Sequence, residues 1–205
     1  MSRVETARTI AAAAVAQKEW AARTGKERAQ IMRKWFDLMM ANQDDLARIL
    51  TAEMGKPLAE AKGEILYGAA FVEWFGEEAK RIYGETIPGH MRDKRITVLK
   101  QPIGVCASIT PWNFPLQINL AKIIPALAAG CTVILKPAPD TPWTATFIGK
   151  MVAEHTDIPP GVFNVVPGGR EAGQRLASHP DVAMIALIGS VPTGRAVMKA
   201  ASDTV

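Results

Sequence analysis

Three short stretches hold the residues best suited to chemistry: Thr110-Pro111-Trp112-Asn113-Phe114-Pro115, Lys136-Pro137-Ala138-Pro139 and Gly189-Ser190. Each follows a segment that reads as a strand. A side-chain amide such as that of Asn113 can donate to an oxygen on which charge develops. A lysine ammonium reaches hydroxyl or phosphate oxygens, and a glycine and serine with free amides at a helix start favour a pyrophosphate. Together these groups suit an anionic, ribose-bearing ligand. Each also has a plain structural reading. The prolines could make Trp112 and Asn113 a stiff turn with Trp112 in the core, Lys136 could be a solvated strand end, and Gly189-Ser190 could be a simple N-cap. Taken singly, the three stretches leave both readings open. The Gly-x-Gly-x-x-Gly fingerprint is absent after the first strand, and Gly168-Gly169-Arg170-Glu171-Ala172-Gly173, after a later strand, serves a turn as readily as a cofactor.

Other reactive groups are few. Cys106 lies inside an apolar strand and Cys131 follows a helix end; with no cation nearby in sequence, both read as packed thiols. Two cysteines in 205 residues are too few for a disulfide framework and fit a reducing cytoplasm. His90, His155 and His179 have no metal-ligand spacing. The balance of 24 basic to 20 acidic side chains leaves a net charge of only +4, without a basic stripe, which argues against nucleic-acid binding. The longest apolar run, between Lys122 and Lys136, contains Pro125 and Gly130 and falls short of the ~20 residues of a membrane span. Arg3, Glu5 and Arg8 precede an alanine-rich run in a pattern unlike a secretory signal.

The elements that must position these residues form two textures. Residues 3–80 read as helical. Ile31, Trp35, Leu38 and Met39 make one apolar stripe; Asn42 is placed to cap a helix through Leu46, Ile49 and Leu50, which Gly55 and Pro57 stop. A further helix from about Ala59 to Arg81 is expected to bury Ile65, Leu66, Val72 and Phe75. An extended pair spans roughly 84–102, as an edge or an arm. Beyond Pro102, strands at 105–109, 132–135, 162–166 and 183–187 alternate with helices at 116–129, 144–154, 171–178 and 193–201. That alternation predicts an α/β fold, a doubly wound parallel sheet with right-handed crossovers. In such a sheet the ligand crevice lies beyond the carboxyl ends of the strands, so the three stretches should cluster on one edge.

Several motifs resemble the aldehyde dehydrogenase superfamily in order and spacing: Thr110 to Pro115, Pro125-Ala126-Leu127-Ala128-Ala129-Gly130-Cys131, Leu135 to Ala138, Pro160-Gly161-Val162-Phe163-Asn164-Val165-Val166, and Gly189-Ser190. The resemblance implies a Rossmann-like NAD(P)-binding domain formed by residues 1–83 and 103–205, with 84–102 as an oligomerisation arm of a homo-oligomer. It places Trp112 and Asn113 near the nicotinamide, Lys136, Pro137, Ala138 and Pro139 at the adenosine ribose, and Gly189 and Ser190 at the pyrophosphate of NAD or NADP. Asn113 matches the oxyanion residue, and Lys122 a lysine near the active site, where a surface role fits equally. The substrate implied is a small-molecule aldehyde, oxidised to the acid.

In this family the nucleophilic cysteine and the water-activating glutamate lie downstream of the segment matched. The chain reaches Val205 before either, with no catalytic domain, so by itself it is expected to be inactive and to self-associate. A non-catalytic nucleotide-binding or oligomerisation module, or a truncated gene product, is the competing expectation. Residues 51–115 are most similar to succinate-semialdehyde dehydrogenases, although Ala121 stands where these commonly carry an arginine able to pair with a substrate carboxylate. Pro139 replaces a glutamate that repels a 2′-phosphate in NAD-preferring members, so NADP should be tolerated.

Overall fold

The computed structural model describes residues 1–204. Four helices come first: α1 (Arg3–Ala22), α2 (Gly25–Ala41), α3 (Gln43–Met54) and α4 (Leu58–Glu78). The first two are started by reciprocal capping boxes. In each, the cap hydroxyl of Ser2 or Thr24 accepts from the amide of Glu5 or Glu27, whose carboxylate accepts from the cap residue's own N–H. These bonds also hold both carboxyls below the ordinary glutamate range.

The expected stripe on α2 forms through Ile31, Trp35 and Met39, all buried, with Leu38 at its margin. Two details differ from expectation. Asn42 precedes α3 but turns its side-chain amide back to donate to the Leu38 carbonyl at 2.8 Å, so α3 has no side-chain cap. On α4 the buried positions are Ala61, Glu64, Ile65, Gly68, Ala69, Val72 and Gly76, whereas Leu66 is 48% exposed and Phe75 half-buried. The buried stripe advances by three and four residues, and Leu66 falls off its phase.

A hairpin follows, β1 (Glu85–Pro88) antiparallel to β2 (Arg95–Val98), with every residue exposed. Beyond it come β3 (Val105–Ile109), α5 (Gln117–Ala128), β4 (Thr132–Lys136), α6 (Trp143–His155), β5 (Phe163–Val165), α7 (Arg170–Ala177), β6 (Val182–Leu187) and α8 (Val191–Ala201). The four strands β3 to β6 form a parallel sheet in the order β5-β4-β3-β6. The chain therefore winds outward from β3 through β4 to β5, then crosses back to place β6 on the other side of β3. This is a doubly wound α/β fold whose order reverses between β3 and β6.

Two apolar cores clothe the sheet. On one face α1 and α7 pack Ile10, Ala13, Ala172 and Leu176 against Val105, Ala107 and Ile134. On the other, α2 to α6 build a larger core around Trp35, Leu46, Ile65, Leu120 and Ile123. Of the alanines in α1, Ala13 is buried against the strands, its carbonyl accepting from the Thr132 hydroxyl at 3.1 Å, so the helix sits close to β4 there. Gln17 uses that proximity: its amide donates to the Gly130 carbonyl at 2.9 Å and its oxygen accepts from Thr132 N at 2.7 Å.

Glycine matters where backbones nearly touch. A Cβ on Gly25, at the start of α2, would strike the carbonyl of Ala79 at the end of α4, a rigid neighbour, whereas a Cβ on Gly63 meets nothing within 4 Å. Gly25→Ala is therefore expected to destabilise the chain by about 1–3 kcal/mol. Gly63→Ala, on the exposed face of α4, should be neutral or stabilising by up to about 1 kcal/mol. Urea titration of the two variants checks the pair, and equal midpoints would refute the steric argument.

Candidate functional site

The strand ends bring the three sequence-derived stretches together. Ile109 at the end of β3 is in register with Lys136 of β4 on one side and Leu187 of β6 on the other. Their continuations are stitched across the edge, Thr110 N donating to the Lys136 carbonyl at 3.2 Å and Ile188 N to the Ile109 carbonyl at 3.1 Å. The loops after β3 and β6 thus flank the point where the strand order reverses.

Lys136 departs from the solvated strand end. It is only 6% exposed, and its ammonium donates to the Pro137 carbonyl at 3.1 Å. Burial, with no acidic neighbour to offset it, pulls this ammonium below the ordinary lysine range. The side chain lines a cleft of about 480 Å³ between α7 and α8, with Ile109, Gly173, Pro192, Thr193 and Ala196. Gly173, from the later glycine cluster, contributes bareness: a Cβ there would lie 3.6 Å from the Lys136 stem. Pro137 and Ala138 are buried behind the lysine, while Pro139 is exposed.

Ser190 does what the simpler reading proposed. Its hydroxyl caps α8, accepting from Thr193 N at 3.4 Å and meeting the Thr193 hydroxyl at 2.9 Å. Gly189 beside it is exposed, and α8 buries none of its residues. Pro192 has no N–H and the Thr193 amide is taken by Ser190, so of the first three residues of α8 only Val191 keeps an uncommitted N–H, at a terminus that favours negative charge.

The stretch after β3 is an irregular turn. Trp112 is 55% exposed rather than a core residue, and Asn113 is exposed beside it. Pro111 and Pro115 have no N–H to offer. The turn is held from outside, by residues the sequence did not single out. Lys56 Nζ donates to the Asn113 carbonyl at 3.2 Å and lies 3.9 Å from the centre of the Phe114 ring. It also pairs with Glu64, whose side chain is 2% exposed. Glu64 in turn accepts from Leu116 N at 2.9 Å and Gln117 N at 3.2 Å, capping α5, which has no cap of its own. Asn119 closes the turn, donating to the Pro115 carbonyl at 2.6 Å. The one available signal was Glu64 itself, a charge standing in phase with Ala61, Ile65 and Gly68.

Cys106 and Cys131 are buried, as expected, and they are neighbours. Hydrogen bonding to Cys131, then burial, pushes the Cys106 thiol up. Cys131 is drawn down by the Cys106 thiol, the amides of Gly104 and Ile103, and the Arg28 guanidinium, a cation invisible in local sequence. Among the described residues no group of three or more metal-binding side chains occurs, and no helix is long and apolar enough to cross a membrane.

The fold is thus a doubly wound α/β domain, with a mainly apolar cleft beside Lys136 and an exposed turn carrying Asn113 at the reversal of its strand order. The aldehyde dehydrogenase family model matches residues 1–205, and the chain belongs to that family. It is 59% identical to a glutarate-semialdehyde dehydrogenase of Pseudomonas aeruginosa, over 97% of this chain and 41% of that protein. It is 57% identical to an NADP(+) succinate-semialdehyde dehydrogenase of Escherichia coli, over 95% of this chain and 40% of that protein. Among solved structures, a succinate-semialdehyde dehydrogenase from Burkholderia pseudomallei superimposes with a TM-score of 0.98 at 50% identity, covering all of this chain and 42% of its own. A betaine aldehyde dehydrogenase from Staphylococcus aureus in complex with NAD+ does so with a TM-score of 0.95 at 31% identity, covering all of this chain and 41% of its own. The chain thus spans about 40% of the length of the curated relatives it matches.

Because burial limits their access, Cys106 and Cys131 should react with an aromatic disulfide reagent only as fast as the chain opens, and together. Rate measurements on native and unfolded chain check this. A thiol that reacts at once in the native state would overturn the packed reading.

Proposed function

We propose that this chain supplies the cofactor-binding part of an NAD(P)-dependent aldehyde dehydrogenase whose substrate is a short aldehyde carrying a second, anionic group. One observation carries the reading: the Asn113, Lys136 and Gly189-Ser190 stretches converge at the strand-order reversal, where open α/β sheets bind their ligands. Relatives named for glutarate semialdehyde, succinate semialdehyde and 3-sulfolactaldehyde all act on aldehydes of that type. Ala121 itself offers no cation to that anionic end.

The residues present fit a dinucleotide. Lys136 is a buried ammonium whose hydrogen bond goes to a backbone carbonyl, with stem and charge facing a cleft of about 480 Å³. It would hold ribose hydroxyls, with Pro137, Ala138 and Pro139 shaping the wall, and Gly189, Ser190 and the positive end of α8 would meet the pyrophosphate. Trp112 and Asn113 would face the nicotinamide end. The cofactor, when bound, accepts the hydride. Asn113 would donate from its side-chain amide to the aldehyde oxygen as that oxygen gains charge, lowering the barrier without moving a proton.

The hairpin of β1 and β2 is proposed to contact a second copy of the chain in a homo-oligomer. Its exposed Ile87, Ile96 and Val98, with Leu99 beyond, support that reading. Two unpaired thiols suit a reducing compartment such as the cytoplasm.

NAD and NADP are both expected to raise the melting temperature of the chain, since Pro139 presents no carboxylate to a 2′-phosphate. At a hundred-fold excess over Kd the stabilisation should be about 2.7 kcal/mol. A shift with neither cofactor would overturn the binding reading, and a shift with NAD alone would overturn the tolerance. In the complete enzyme, Asn113→Ala should lower kcat roughly 10²–10³-fold while leaving cofactor affinity near its starting value.

A further inference from the structure

We infer that Lys56 and Glu64 are positioning residues for Asn113, clamping the turn that carries its amide from both sides. The inference rests on the proposed role of Asn113 as the donor to the aldehyde oxygen.

Among the described residues, the hydrogen bond recorded at Asn113 is the one its carbonyl accepts from Lys56 Nζ at 3.2 Å. The side chain has no protein partner and is exposed, so packing does not orient it. The flanking prolines remove two backbone donors that might otherwise close the turn. A donor that works by preorganisation must nonetheless be held near its productive geometry before the ligand arrives. Beside the bonds from Ile118 N to the Phe114 carbonyl and from Asn119 to the Pro115 carbonyl, the restraint from outside the turn comes from Lys56 at Asn113 itself and Glu64 at the start of α5. Lys56 fixes the Asn113 carbonyl and covers the Phe114 ring. Glu64 fixes the first amides of α5, at Leu116 and Gln117, onto which the turn runs.

The two halves depend on each other. Glu64 is buried against Lys56, and that pairing holds the Lys56 side chain beside the turn. Gly55, in the left-handed region with φ of 77°, ends α3 and turns the chain so that Lys56 enters this junction. A buried ion pair is weak support for stability, and its better-attested use is to fix one arrangement among several. Here the arrangement fixed is that of an exposed, amide-bearing turn.

The test uses the complete enzyme, with Lys56→Met, Lys56→Arg and Glu64→Gln, each alone and combined with Asn113→Ala. Kinetics are measured together with cofactor Kd and the hydrogen exchange of the peptide spanning residues 112–118. Lys56→Met is expected to lower kcat roughly 10- to 100-fold. KM and cofactor Kd should stay near wild-type values, and exchange of the Leu116 and Gln117 amides should rise. Lys56→Arg, which retains a cation and donors, should recover part of kcat. In the Asn113→Ala background Lys56→Met should cost almost nothing more, because the group it positions is gone. Additive losses in that background, or an unchanged kcat despite faster exchange, would overturn the inference. If Asn113→Ala alone leaves kcat intact, the role of Asn113 fails instead, and the exchange data separately report whether the clamp exists. Glu64→Gln, which keeps an acceptor for the α5 amides, supplies the same comparison if Lys56→Met does not fold.

Discussion

A carboxylate withdrawn from water has to be answered by donors and by a cation, and the way Glu64 is answered joins the helical layer of this chain to its sheet. An unanswered buried charge costs several kcal/mol, enough to compromise a marginally stable domain. The donors are the Leu116 and Gln117 amides and the cation is Lys56, so the α3–α4 junction, α4 and the distant start of α5 must meet at one place. Gly68, one turn beyond Glu64 on α4, has no side chain to obstruct Leu116 and Leu120 of the arriving segment. The device recurs: Glu53 of α3 accepts from Trp143 N at 2.7 Å and Thr144 N at 3.1 Å, starting α6, which likewise lacks a cap of its own. Two carboxylates of the helical layer thereby anchor two crossover helices, with the charge sign that a helix N-terminus favours.

The placement of the candidate site follows from those crossovers. With α5 and α6 on one face and α7 on the other, the connections leaving β3 and β6 diverge, and a crevice opens between them. Any residue directly after β3, β4 or β6 must face it. The cleft beside Lys136 is the portion of that crevice roofed by α7 and α8. Gly173 lies alongside the lysine stem, where even a Cβ would make only ordinary contact at 3.6 Å.

Much of this was legible in the sequence because it is encoded locally. The alternation after Pro102 places every strand and helix of the sheet within a few residues of its observed bounds, since each element carries its own periodicity and punctuation. The three candidate stretches were legible as strand-end segments for the same reason. What escaped is non-local. Asn42 and Leu66 were assigned by propensity and periodicity, and both yielded to neighbours: Asn42 to a carbonyl of the preceding helix, Leu66 to the phase that buries Glu64. Burial of Lys136 depends on α7 folding back over β4, and the Arg28 beside Cys131 arrives from α2. Lys56 meets Asn113 across 57 positions, and nothing in the spelling of either segment announces the other.

The three stretches are also held by three different means, and the difference follows from what each must leave free. Lys136 can be buried because its stem packs while its charged end still reaches the cleft. Ser190 spends its hydroxyl on capping α8, and the exposed Gly189 beside it leaves the backbone there uncovered. In its proposed role, Asn113 allows neither solution. Burying it would close it to a ligand, and engaging its side chain in a local bond would consume the donor. Only its backbone can be held, and only from elsewhere in the chain. A lysine reaching the Asn113 carbonyl, itself fixed by a buried carboxylate that grips the following helix, meets that requirement and leaves the amide unspent. An apolar pair at the same place would pack as well, yet it would supply no direction to the turn.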